Sequence, residues 1–155
     1  GVFAWVEMNF ANASWKLYAQ NLAGSSLTGN AVELDRGGEN YDPPLFTAYG
    51  SSVIWYKMPS SGGTKTSNDS YCYRQSPSES KPETIWKSTG RFASAPRVSD
   101  GILTISPRVH NDEGVYYGMT AIDLTDGNNT KRAQLVLPSS VSPFAVNVIV
   151  ALCMF

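Results

Sequence analysis

The sequence predicts an all-β sandwich, on three observations. Aromatics make up 12% of the chain and 13 glycines stand beside 9 prolines, while only 16% of residues are charged. That balance suits strands joined by turns better than helices or disorder. Short β-branched and aromatic segments recur at sandwich spacing, each bounded by Gly, Pro, Asn or Ser. No segment sustains a 3.6-residue period, although 107–113 leaves room for short helical turns. At 155 residues the chain is expected to be one domain, 1–155, long enough to bury a core.

The segments follow in order. FAWVEMNF (3–10) and SWKLYAQNL (14–22) alternate loosely as first strands, and GSSLTGN (24–30) reads as a turn-rich break. NAVELD (30–35) alternates again, with Val32 and Leu34 on one face. RGGENYDPP (36–44) is a loop by its Gly-Gly and Pro-Pro pairs. SSVIWYKM (51–58) is the clearest strand, and 59–69 a flexible excursion. SYCYRQ (70–75), TIWKS (84–88), RFASA (91–95), GILTISP (101–107), GVYYGMTAI (114–122) and KRAQLVL (131–137) complete the series. The core strands are expected over about 30–137. Within the tail 138–155 the apolar run Phe144–Phe155 is only twelve residues and contains Asn147, too short for a membrane helix, and its Val, Ile and Phe predict an added strand packed back on the domain.

Four motifs in this order carry a resemblance. IWYK (54–57), GRF (90–92), LTI (103–105) and DEGVYYG (112–118) resemble strands C, D, E and F of an immunoglobulin variable-type domain. The likeness covers the middle and C-terminal half of the chain. It implies an immunoglobulin-like variable-type β-sandwich of two antiparallel layers. By that resemblance Trp55 is buried between the sheets, Tyr116 is the tyrosine corner, Gly114 frees the turn into strand F, and Arg91 pairs with Asp112 at the base. The cysteines of such a domain are missing: Gly118 stands at one position, and Arg36 at the other if 29–36 is strand B. The chain has only Cys72 and Cys153. A bridge between them would close a loop of about 80 residues, worth roughly 4.5 kcal/mol by chain entropy; the alternative is two free thiols, one inert in the apolar tail. The expectation is a non-standard Cys72–Cys153 disulfide clipping the added C-terminal strand to 70–75.

Three sequons, at Asn12, Asn68 and Asn128, lie in polar or turn-like contexts. Together with the even cysteine count they predict the secretory pathway, either the endoplasmic reticulum lumen or the cell surface. No basic-then-apolar leader is visible at Gly1, so a signal peptide is expected to have been removed. Membrane attachment would come only through a stalk or anchor outside this chain. The net charge of −1 and pI near 5.8 argue against nucleic acid as partner.

Catalytic chemistry finds no inventory. The one histidine, His110, has no Cys or Glu cluster at metal-ligand spacing and no located nucleophile. The glycines of GNAVEL and SSGGTK lack phosphate-loop spacing, and Asp112 and Glu113 are sequence neighbours that do not face one another. No cofactor, metal or small-molecule substrate is expected. The chain reads as a non-catalytic protein-binding module. Its missing and displaced cysteines, long insertions and sequons resemble a viral immunoevasin ectodomain, most similar to the murine cytomegalovirus glycoproteins that bind MHC class I and modulate T-cell or natural killer cell recognition. A host receptor or adhesion domain, or a structural head module of an envelope glycoprotein, explains the same motifs. Alternation about Trp55 and Tyr116 puts Tyr56, Tyr117 and Met119 outward with Lys57 at their edge, a candidate partner face. A second small core covered by extra chain is the rival reading of those residues.

Overall fold

The computed structural model describes residues 1–60, 69–111, 114–138, 141–143 and 146, with the backbone alone at 110, 111, 114 and 115. The described chain is all-β, and its twelve strands form three antiparallel sheets. Alternation in the first 37 residues builds a meander of Val2–Asn9 (β1), Ser14–Ala23 (β2) and Ser26–Gly37 (β3). The expected break at 24–30 shrinks to a two-residue link: Ala23 pairs with Ser26, and Gly24 takes a φ of 60° that a side chain would resist. The first strands expected at 3–10 and 14–22 are thus present, and they form a sheet of their own ahead of residue 30.

The second sheet has the order β4-β5-β6-β7, made of Phe46–Tyr49, Ser52–Lys57, Ser70–Gln75 and Glu83–Ser88. It is the middle layer. On one face of β5, Val53 and Trp55 pack with Trp15, Leu17 and Ala19 of the first sheet. On the other, Ile54, Tyr56 and Met58 pack with Phe92, Leu103, Ile105 and Ile122. A strand covered on both faces needs apolar side chains at every position, which is why VIWY runs unbroken.

The third sheet holds Arg97–Ser99 (β8), Ile102–Ile105 (β9), Arg108–Asn111 (β10), Gly114–Asp123 (β11) and Thr130–Val136 (β12). β9 and β10 run along one edge of β11 in a single register, with Ile105 opposite Thr120 and Arg108 opposite Tyr117. Pro107, which has no N–H for a ladder, separates them, and its carbonyl accepts the Gly118 N–H at 2.9 Å. β12 lies on the other edge of β11. Of the stretch 107–113 that left room for helical turns, Arg108–Asn111 is strand β10, and 112–113 lie outside the described residues. RFASA, expected as a strand, is irregular; it delivers Phe92 to the core, where its ring stacks on Tyr56 at 4.0 Å.

These pairings correct the expected variable-type topology. Such a sandwich sets strand C beside F and places E in the opposite sheet. Here β5 lies between β4 and β6, and the E-like β9 is hydrogen-bonded to the F-like β11. Asn111 pairs directly with Gly114, so the chain turns back on itself there instead of crossing between sheets. Tyr116 sits opposite Val109 inside that hairpin, half-buried, and not at a corner between sheets. Gly114 opens β11, Asp112 lies outside the described residues, and Arg91 is engaged by Asp42 at 2.6 Å and by the Pro59 carbonyl.

The missing inter-sheet cysteines now have a physical reason. Arg36 is in the first sheet and Gly118 in the third, with the middle sheet between them, far beyond the reach of one disulfide. A Cβ at Gly118 would also come within 3.0 Å of Gln134 and 3.1 Å of Val109. Among the described residues Cys72 has no disulfide partner; it is fully buried in the core that Tyr56 and Phe92 share, and burial pushes its thiol pKa far up. Its expected partner Cys153 lies outside the described residues, as does most of the expected C-terminal strand. Within 141–146, the Val146 carbonyl accepts the Thr104 hydroxyl at 3.0 Å, so the chain after β12 returns to β9. A buried, neutral thiol reacts slowly. Iodoacetamide should leave Cys72 unlabelled in the native protein and alkylate it on unfolding without reductant. Failure to label the unfolded, unreduced chain would instead establish a bridge.

At the far end of β11, Asp123 accepts from the Thr125 hydroxyl at 2.6 Å and from Arg132 at 2.6 Å. The Thr125 hydroxyl first, and Arg132 after it, hold its carboxyl down at about 2, below the usual 3.8. A carboxylate depressed in the folded state stabilises the fold above its unfolded pKa and loses that contribution as pH falls through the folded value. Asp123→Asn should therefore be less stable than the parent at pH 7, with the difference closing between about pH 4 and 2. Urea midpoints across that range test this; a gap independent of pH would contradict it.

Candidate protein-binding faces

The face expected to be open is mostly closed. Tyr56 has no exposed surface: it points into the core between the second and third sheets, opposite Cys72 on β6. Burial first, and the neighbouring Cys72 second, push its phenol pKa well above the usual 10. Tyr117 and Met119 are half-buried on β11, in the third sheet, so they share no face with Tyr56. Arg108 covers the Tyr117 ring at 4.8 Å. Tyr56 is thus covered by the third sheet, and not by the extra chain that the rival reading placed over all three residues.

Lys57 belongs to a latch between the first and second sheets. Its ammonium stands 4.8 Å from the Trp15 ring centroid and 4.7 Å from that of Tyr41. It donates to Asp35 Oδ1 at 2.8 Å, while the Trp55 indole N–H donates to Asp35 Oδ2 at 2.9 Å. Trp15 in turn donates to the Tyr41 carbonyl at 3.0 Å. One carboxylate from β3 thus satisfies the two polar groups that β5 presents to the first sheet. Trp55 itself is fully buried. Asp35 carried no local signal in the sequence, because its partners are about twenty residues away in the chain.

The open aromatic face lies on the other side of the first sheet. Alternation sends Val2, Ala4 and Val6 of β1 inward with Trp15, Leu17 and Ala19 of β2. Phe3 and Trp5 therefore point outward, with Tyr18 directly opposite Trp5 in the ladder. The Phe3 and Trp5 ring centroids are 5.7 Å apart, and Trp5 stacks on Tyr18 at 5.6 Å. Phe3 is 49% exposed. The Trp5 N–H donates to Glu7 at 3.2 Å, which lays the indole along the sheet. Glu33, opposite Tyr18, meets Lys16 and Arg36 to make a charged border. An apolar aromatic centre inside a charged rim has the anatomy of a protein interface. β1 is the edge strand of this sheet among the described residues. The odd-residue aromatics of FAWVE held this signal in plain alternation, once the even positions were known to be inward.

The sequons separate as well. Asn12 is exposed at the β1–β2 turn, Asn128 is exposed between β11 and β12, and Asn68 lies outside the described residues. No family model matches the sequence, and no curated protein or solved structure is significantly similar to it.

Proposed function

We propose that the chain is a non-catalytic protein-binding ectodomain of the secretory pathway, which docks its partner on the outward Phe3–Trp5–Tyr18 face of the first sheet. The observation that carries this reading is the aromatic row itself, with Phe3 tilted against Trp5 and Trp5 stacked on Tyr18. Three large rings on a sheet face, bordered by Glu33, Lys16 and Arg36, supply the residue types that dominate interface energy. Within this reading the partner is an MHC class I molecule and the chain a viral immunoevasin, supported by the sequons, two of them exposed at Asn12 and Asn128, and by the long insertions, and no longer by the variable-type topology.

Purified chain and purified class I molecules test the proposal by surface plasmon resonance. Trp5→Ala and Tyr18→Ala should each weaken binding tenfold or more, about 1.4 kcal/mol per decade, with the circular dichroism spectrum unchanged. Class I binding that ignores both substitutions would move the docking face elsewhere. Complete absence of class I binding would remove the immunoevasin assignment.

A further inference from the structure

We propose that Asn12 carries an N-linked glycan whose first sugar stacks on the ring of Phe10, so that the two residues form one glycan-holding unit at the tip of the β1–β2 hairpin. The inference rests on the secretory reading above, because the sugar donor, an oligosaccharide on a lipid pyrophosphate, is met in that lumen. Phe10 is the observation that calls for it. At 87% it is the most exposed of the large apolar side chains among the described residues, and no neighbour covers it. It stands two residues before the sequon asparagine, at most about 7 Å away along the chain.

The turn is built for the acceptor. Asn9 pairs with Ser14 across the hairpin, and the four residues between them close it with Ala13 in the left-handed region at a φ of 51°. Asn9 Oδ1 accepts the Ala11 N–H at 3.1 Å. Asn12 Oδ1 accepts both the Ser14 N–H at 3.2 Å and the Ser14 hydroxyl at 2.6 Å. The two sequon side chains are therefore already joined, with the hydroxyl polarising the amide and Nδ2 left to the outside. In the transfer, Nδ2 attacks the anomeric carbon of the donor. The new C–N bond forms as the C–O bond to pyrophosphate breaks. The lipid pyrophosphate leaves with that electron pair, and Nδ2 gives one proton to a base of the transferase. The attached sugar then lays its polarised C–H face on the negative face of the Phe10 ring, removing an exposed apolar surface from water.

The Asn128 sequon lacks both features. Its Thr130 hydroxyl donates to Asp126 at 2.7 Å and not to Asn128, and Asp126 occupies the position where Phe10 stands in the first sequon.

The test is secretion of the whole 155-residue chain from mammalian cells behind a cleavable leader, with glycopeptide mass spectrometry and thermal melts of the parent, Phe10→Ala, Asn12→Gln and the double variant. Asn12 should be occupied on most molecules. Phe10→Ala should lower the Tm of the glycosylated chain by about 2–4 °C, the shift for a roughly fivefold change in the folding equilibrium at this length. On the Asn12→Gln background the same substitution should move the Tm by less than about 1 °C. Occupied Asn128 with empty Asn12 overturns the acceptor geometry and leaves the secretory reading standing. An occupied Asn68 with Asn12 empty has the same meaning, and three empty sequons overturn both. An equal effect of Phe10→Ala with and without the glycan, or no effect in either, overturns the stacking.

Discussion

Trp55→Ala should destabilise the fold by about 4 kcal/mol, the upper part of the range for large core truncations. The indole is fully buried between the first two sheets, in contact with Trp15, Leu17, Ala19 and Val53 and 5.7 Å from the Tyr73 ring. Those neighbours sit on β2, β5 and β6, whose hydrogen-bonded ladders restrain them from collapsing into the space. The loss therefore combines the transfer of a large ring with an unfilled cavity. It also strips Asp35 Oδ2 of its only tryptophan donor. At this chain length the melting temperature should fall by roughly 8–16 °C. Trp55→Phe keeps most of the apolar volume and should lose about half as much, through the hydrogen bond and the residual gap. Denaturant titration measures both; a loss under about 1 kcal/mol for the alanine variant would mean that the first two sheets do not share this core.

Asp35→Ala should cost about 2–3 kcal/mol despite removing no apolar contact. The carboxylate and the Lys57 ammonium are 18% and 17% exposed, so neither is fully hydrated. Removing the acceptor leaves the Trp55 N–H unmatched and the Lys57 ammonium with only the Arg36 carbonyl and the Trp15 and Tyr41 rings, and a half-buried donor and charge stripped of a carboxylate cost more than an exposed ion pair. Asp35→Asn separates the two parts. It retains an oxygen for Trp55 but no charge for Lys57, and should lose about 1 kcal/mol. Because Asp35 and Trp55 touch, Asp35→Ala in a Trp55→Phe background should cost clearly less than in the parent. Additive losses would show that the latch acts through Lys57 alone.

Much of the strand series was legible from local chemistry. SVIWYK, SYCYRQ, TIWKS, ILTI, GVYYGMTAI and KRAQLV are strands because β-branched and aromatic residues suit a pleated, packed surface wherever they lie in the fold. RFASA was misread because Phe92 serves the core as a single ring from an irregular segment, which mimics one turn of strand alternation. The 107–113 stretch leaves helical turns open from sequence because Pro107 hides the continuity of β9 with β10, visible only from their common register on β11.

The placement of the candidate faces followed the same division. By itself the amino-acid sequence determined that this chain is all-β, where most of its strands run, and that Phe10 precedes a sequon by two residues. Those are properties of neighbours along the chain, set by local sterics and side-chain type. Tertiary structure alone decided which strand faces are covered. Tyr56 alternates with Trp55 and would point to solvent in a two-layer sandwich; a third sheet buries it against Phe92. Phe3, Trp5 and Tyr18 are left outside because the opposite face of their sheet is the one that meets β5. Period-two alternation tells which residues share a face, but whether that face is wet depends on sheets far away in sequence, brought together by burial of apolar area that no single strand encodes.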